Sequence, residues 1–458
     1  MSINNSGMTG KVSQTNISIP IEVTEPLLKL ANLLDWKMLE NIVFQDLKKT
    51  EKGAWWLGRP LMLRIHLGAY ILQSIFNKRD RELERDLKFN ALFQAFCGCQ
   101  LVSRWHVPDH TKIETFRNRL SSSTHHTVSE IVLKTAFQAG FLNPAWMDVD
   151  STVQEANMSY PSDATLMTRL AQKAEKVSEI LKKCSKFIPV NIKKVKGILK
   201  EYLFLPKKTL KEKKQEVFKK LHHVVVEEVA PVIMEAMKLT EEKFQTLSSK
   251  TKTLIDQVCE MGSGLLLDIE KFIETEVMVP TKILSFHLKQ VACINKGKVG
   301  KPYEFGRVFQ LGRLGGNFLL IKKSKTIRES DKSAIGGMVY QHRKVFGKGA
   351  LKSIGTDKAY SSQQNMRAAK QAQIIEIAIQ HPKNTKCYTK ELSEKVEIQL
   401  QARRAGIEPL IGHVKEGGLR KSRMKTDQGI ESSAYRSVTG FNLRQLIRHL
   451  EGERIRAW

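Results

Sequence analysis

Residues 301–324 read KPYEFGRVFQLGRLGGNFLLIKKS. Polar and apolar residues alternate around Gly312, the pair Gly315–Gly316 interrupts them, and the apolar run Phe318–Ile321 follows. Alternation, a glycine turn and a second β-rich run predict a hairpin. Upstream, WMDVDST (146–152) mixes β-branched and aromatic residues and reads as a short strand ending near Asp150. Downstream, residues 329–347 read as a helix, and LKSIGTDKAYSS (351–362) as a strand ending at Asp357. NMRAAKQA (365–372) is then a helix, QIIEIAI (373–379) a buried strand, and residues 389–450 helical. The order is that of an α/β sheet domain whose first strand is separated from the hairpin by a helical insert.

That insert is expected over residues 166–280. Helical spacing is clearest in LMTRLAQKAEKVSEILKK (166–183), and Pro189, Pro206, Pro231 and Pro280 punctuate the segment. Between Arg169 and Lys220 there are 17 Lys and Arg against 5 Asp and Glu, which directs this part toward DNA or solvent. Ahead of the sheet, residues 24–140 read as all helical. Two helices meet near Asn77, and a further one starts at DHTKIETFRNRL (109–120), capped by Asp109 or Thr111 with Glu114 as capping-box partner. Exposed Arg79, Arg81, Arg85, Arg117 and Arg119 suit duplex binding, and an ordinary solvated helix face explains them as well.

Seventy-five Lys and Arg against 47 Asp and Glu give a net charge of +28 in 458 residues. Such an excess points to a polyanion, above all nucleic acid, because neutralising phosphates releases counterions. No apolar run is long enough to cross a membrane, and the polar residues 1–23 read as a disordered tail rather than a signal peptide. Six scattered cysteines suit a reducing cytoplasm. Cys97, Cys99, His106 and His110 imitate a metal site, but a single residue between the cysteines does not fit finger spacing.

Asp150 and Asp357 thus stand where strands end, and a third acid, Glu408, lies in QARRAGIEPLIGHVKEGGLRKSR (401–423) among Arg403, Arg404, Lys415, Arg420, Lys421 and Arg423. A carboxylate amid cations that attract a polyanion repels that ligand unless a metal stands between them. Three converging carboxylates are tolerated when they hold divalent cations, and Mg²⁺ prefers such oxygens. For Asp357 a plain turn or N-cap role is the alternative. Pro409 disfavours helix at Glu408, so a helix kinks or begins there.

RAGIEPLIGHVK (404–415) resembles the C-terminal signature of DDE transposases of bacterial insertion sequences, in which Arg, Glu and Lys recur as Arg404, Glu408 and Lys415 do here. Gln401 replaces the tyrosine usual three residues before the arginine. DVDSTVQEANMSYPSDA (148–164) is similar to that family's first-Asp segment and GTDKAYSS (355–362) to its second. Residues 57–98 are similar to its helical N-terminal domain, and GKPYEFGRVFQ (300–310) and TGFNLRQLIRHL (439–450) to further stretches.

The resemblance implies a ribonuclease H-like α/β catalytic domain (141–165 and 281–458), interrupted by the basic helical insertion and preceded by an all-α DNA-binding domain. It implies Asp150, Asp357 and Glu408 as catalytic residues holding two Mg²⁺ or Mn²⁺ ions, with Asp148 the nearest competitor for the first place. Arg404, Lys415, Lys421 and Arg423 would contact DNA. The implied partners are double-stranded DNA, as terminal inverted repeats and target, and a homodimer or larger synaptic complex; no membrane is implied. A bacterial cytoplasmic protein, nucleoid-associated when on DNA, is expected to cleave element ends and transfer strands. The alternatives are an inactive DNA-binding descendant and a metal-dependent nuclease that does not join.

Overall fold

The computed structural model describes residues 24–48, 60–98, 107–206, 210–277, 282–295, 303–323, 329–379 and 393–452. Two compact units emerge, one from residues 1–156 with 306–458, the other Asn157–Phe305. The helical insert expected over 166–280 is the greater part of the second unit, which is wider at both ends.

In the larger unit the N-terminal region is helical throughout its described residues: α1 (Pro26–Leu33), α2 (Trp36–Lys48), α3 (Pro60–Phe76), α4 (Asp80–Phe89), α5 (Ala91–Phe96), α6 (His110–Arg119) and α7 (Ser122–Gln138). Asn77, between α3 and α4, takes a positive φ of 49°. Asp109 caps α6, its carboxylate accepting from the Thr111 and Lys112 amides. Asn90 does the same for α5 through Leu92 and Phe93.

The strands of the chain are β1 (Trp146–Glu155), β2 (Ala292–Asn295, within the residues of the second unit), β3 (Tyr303–Leu314), β4 (Phe318–Lys323), β5 (Ser353–Thr356) and β6 (Glu376–Ile379). The strand order is β2-β3-β1-β5-β6, with β4 also paired to β3. β3 and β4 form the expected hairpin around Gly315–Asn317. β1 is antiparallel to β3 and parallel to β5, which is parallel to β6. Helices α14 (Ile335–Phe346) and α15 (Gln363–Gln371) precede β5 and β6.

The first strand does not end near Asp150. Its antiparallel ladder with β3 runs from Met147 to Glu155, carrying the strand five residues further. Only the parallel pairing with β5 stops early, at Val149↔Thr356.

Three last helices, α16 (Glu394–Ala405), α17 (Ile407–Val414) and α18 (Asp427–Leu450), complete this unit after α14 and α15. A π-helical segment, Lys415–Leu419, continues α17. The N-terminal helices, expected as a domain of their own, share one hydrophobic core with the sheet: Leu67, Phe96, Phe116 and Val132 belong to the same cluster as Val149, Phe318, Ile354 and Leu443. Each amphipathic helix buries its apolar stripe against the next, and α18 closes the set against α7, α3 and α1.

The second unit holds α8 (Asp163–Cys184), α9 (Ile192–Leu203), α10 (Lys211–Met237), α11 (Glu241–Thr246), α12 (Ser249–Asp256) and α13 (Ser263–Thr275), the last two joined by a π-helical turn. Its own core includes Leu170, Val177, Val195, Leu221, Val225 and Leu265. In α9, Ile192, Val195 and Ile198 are buried while Lys193, Lys194, Lys196 and Lys200 face solvent. Pro231 does not punctuate the unit, because α10 runs through it for 27 residues. The lost backbone hydrogen bond is outweighed by the buried stripe Val224, Val225, Val229, Val232 and Ile233 on either side.

Candidate active site at the strand edge

Alternation along β1 puts Asp148 and Asp150 on the same face, yet their surroundings differ. Asp148 is fully buried. Arg403 of α16 reaches it with Nε at 3.0 Å and Nη2 at 2.9 Å from Oδ1, and Arg313 Nη1 lies 3.7 Å from Oδ2. Both guanidinium groups pack over the Trp146 ring. Arg403 also donates to Ser353 Oγ, and Arg313 to the Arg403 carbonyl. Gly355, opposite Asp148 on β5, is needed here: a Cβ on it would sit 2.7 Å from Asp148 Oδ1. Burial pushes Asp148 above the usual carboxylate range, and Arg403 and then Arg313 oppose that. Its charge is answered within the fold.

Asp150 is half-buried and has no cation bonded to it among the described residues. Burial pushes its pKa up to about 6; the Ser151 amide and Arg404 oppose the rise, and Asp357 and Asp331 add to it. Val149 pairs with Thr356, so Asp150 and Asp357 are the next residues along two adjacent parallel strands. Asp357 also caps the short 3-10 turn Lys358–Tyr360, accepting from the Ala359 amide at 2.9 Å. The capping role and a place at the strand edge therefore coexist.

Asp331, just before α14, is a further acid here that the sequence did not single out. It accepts from Gln310 Nε2 at 3.0 Å and from Ser151 Oγ at 3.4 Å, and Gln310 Oε1 accepts from the buried Tyr360 hydroxyl. In sequence it is only one acid of a helix start, and nothing marks its neighbours across the sheet.

Glu408 stands in the first turn of α17, which begins at Ile407 after Gly406 breaks the path from α16. Pro409 sits within that first turn, where its missing amide hydrogen costs nothing. Glu408 is exposed and accepts from Arg404 Nη2 at 3.0 Å. Arg404, which also acts on the charge of Asp150, therefore stands electrostatically between the two acids. Among the described residues no three His, Cys, Asp or Glu side chains gather as a metal-holding group. Asp150 and Asp357 fit an oxygen-seeking cation by donor chemistry and by mutual repulsion, and Glu408 offers a third carboxylate, paired with Arg404.

Beyond α17, the Glu155 amide donates to the Arg420 carbonyl at 3.0 Å and the Ser422 amide to the Glu155 carbonyl at 2.8 Å. This bridge pins Arg420–Arg423 beside the end of β1, with Ser422 buried and Arg420, Lys421 and Arg423 exposed. Lys415 is half-buried at the start of the π-helical turn. Of the imitated metal site, Cys97 is buried and His110 Nδ1 lies 2.8 Å from Glu84, while Cys99 and His106 fall outside the described residues.

Residues 16–119, which include α1 to α6, match the model of a transposase domain (DUF772). That match supports a transposase function in general terms. No curated protein and no solved structure matches the chain. Among the described residues no helix is long and apolar enough to cross a membrane.

Proposed function

We propose that this chain is a DDE transposase that binds the ends of an insertion sequence, cleaves DNA there and joins the ends to a target. The observation that carries the reading is the placement of Asp150 and Asp357 on adjacent strand edges, in a chain whose N-terminal helices match a transposase domain. A mixed sheet with an antiparallel hairpin on one side of β1 and parallel strands on the other supports a ribonuclease H-like core. Asp150, Asp357 and Glu408 would hold Mg²⁺ or Mn²⁺, which when bound supplies charge for phosphodiester displacement.

The chain's own residues do the rest. Arg404 orients Glu408 through its ion pair and keeps positive charge beside Asp150. Arg420, Lys421 and Arg423 present a cationic edge for the DNA backbone, and Lys415 extends it. Duplex DNA, as element ends and as target, is the partner, and pairing two ends calls for a dimer or larger complex.

The test is cleavage of end-bearing DNA by Asp150→Asn and Asp357→Asn. Each should lower the rate by roughly a thousandfold, the scale of losing metal-assisted charge stabilisation, while DNA binding stays within about twofold. Retained cleavage in either variant removes that residue from the site.

A further inference from the structure

A cavity of about 200 Å³ lies in the larger unit, lined by His413, Gly417, Phe441, Arg444, Gln445 and Arg448. It is formed where α17 and the π-helical turn after it meet the second half of α18. Arg444, Gln445 and Arg448 belong to the stretch 439–450, to which the proposed catalytic machinery gives no role.

Arg444 and Arg448 are one helical turn apart, so their guanidinium groups share a face. Burial lowers the Arg444 pKa, and the nearby charge of Arg448 lowers it further. One Arg444 nitrogen donates to the Ile75 carbonyl. Among the described residues no acid pairs with either arginine, and Glu451, three residues beyond Arg448, is exposed. Gly417 makes the room: a Cβ on it would lie 2.7 Å from Arg444 Nη2. Gln445 is 1% exposed, and its Oε1 has no hydrogen-bond partner. Amide oxygen and nitrogen have the same shape, so a half-turn of the carboxamide puts an N–H donor where that oxygen is. Two like charges, a buried carboxamide that can turn its N–H inward and an open volume suit an anion.

We infer that this cavity binds a phosphate group of the DNA backbone. A phosphodiester supplies several acceptor oxygens to two guanidinium forks and one amide, and Arg matches that geometry in pairs of bonds. The cavity is continuous in sequence with the exposed cations Arg420, Lys421 and Arg423, which carry the same duplex in the proposed function. The inference rests on the chain binding DNA, and does not need the chain to cut it.

The experiment is the salt dependence of binding of the full chain to a short duplex of arbitrary sequence, for wild type, Arg448→Gln and Gly417→Ala. Arg448 is exposed and its replacement should fold. Arg448→Gln should weaken binding about three- to tenfold and shallow the log–log slope by about 0.9, the release of one phosphate contact. Gly417→Ala removes no charge, so a loss of affinity there reports the displaced Arg444 rather than net charge. Unchanged affinity and slope in both variants would overturn the inference. Inorganic phosphate is the second probe, followed by arginine side-chain NMR. If it binds in an Arg448-dependent way while duplex affinity is indifferent to both substitutions, the site takes free phosphate and the DNA assignment fails. Variant-sensitive slopes in a protein that never cuts DNA would keep this inference and remove the transposase reading; a cutting enzyme with indifferent variants would do the reverse.

Discussion

Arg404 donates to Glu408 at 3.0 Å across one turn's spacing, although Gly406 separates their helices. The same arginine opposes the rise in the Asp150 pKa that burial causes. One guanidinium therefore balances two acids that arrive from sequence positions more than two hundred residues apart. An exposed ion pair of this kind is worth little to stability, so its value lies in where it holds Glu408.

Asp148 and Asp150 should separate cleanly in unfolding experiments. Asp148→Asn strands Arg403 and Arg313 beside Trp146 and should destabilise the chain by about 3 kcal/mol. Asp150→Asn removes a desolvated charge repelled by Asp357 and Asp331, and should leave stability unchanged or raise it by about 1–3 kcal/mol at pH 8 without metal. Urea unfolding of the two variants beside wild type checks the pair. Equal losses would mean that both acids are structural.

Acid sensitivity should trace to His125. It is buried, 2.7 Å from the Tyr70 hydroxyl, and burial lowers its pKa to about 3 from an ordinary 6.5, with Arg436 adding to the effect. The unfolded chain therefore binds a proton that the folded chain refuses between those values. The contribution is fully present above pH 6.5 and is lost as pH falls toward 3, by up to about 1.4 kcal/mol per pH unit. His125→Gln should flatten the fall of melting temperature between pH 6.5 and 4. An unaltered slope would place the acid sensitivity elsewhere.

Lys415 should contact a phosphate. Lys415→Ala is expected to weaken binding to element ends and shallow the log–log salt slope by about one unit. Filter binding across a salt series measures it, and an unchanged slope would place Lys415 off the backbone.

Much of the fold was legible because local chemistry decided it. The glycine pair at 315–316 marks the hairpin, Asp109 caps α6 through its own side chain, and Pro409 falls in the first turn of α17, where a proline is tolerated. Where tertiary packing decides, the sequence is silent or misleading. The strand through Asp150 runs on because β3 pairs with it to Glu155, a partner about 150 residues away. Pro231 reads as a stop and is overruled by a buried valine stripe.

The candidate site divides in the same way. Asp150, Asp357 and Glu408 carry recognisable neighbours in sequence. Asp148 and Asp150 look alike there, and only the arrival of Arg403 and Arg313 tells them apart. Asp331 and the cavity beside Arg444 depend wholly on contacts across the sheet and between helices, which no local spacing announces.

The most direct measurement is a cleavage and joining assay on DNA carrying the ends that flank this gene, with Mg²⁺ or EDTA, for wild type and Glu408→Gln. Expected are cut and joined products that require Mg²⁺ and disappear with Glu408→Gln, while both proteins bind the DNA. Tight binding with no product under any condition would contradict the account and leave a DNA-binding protein; products that survive in Glu408→Gln would remove that acid from the site.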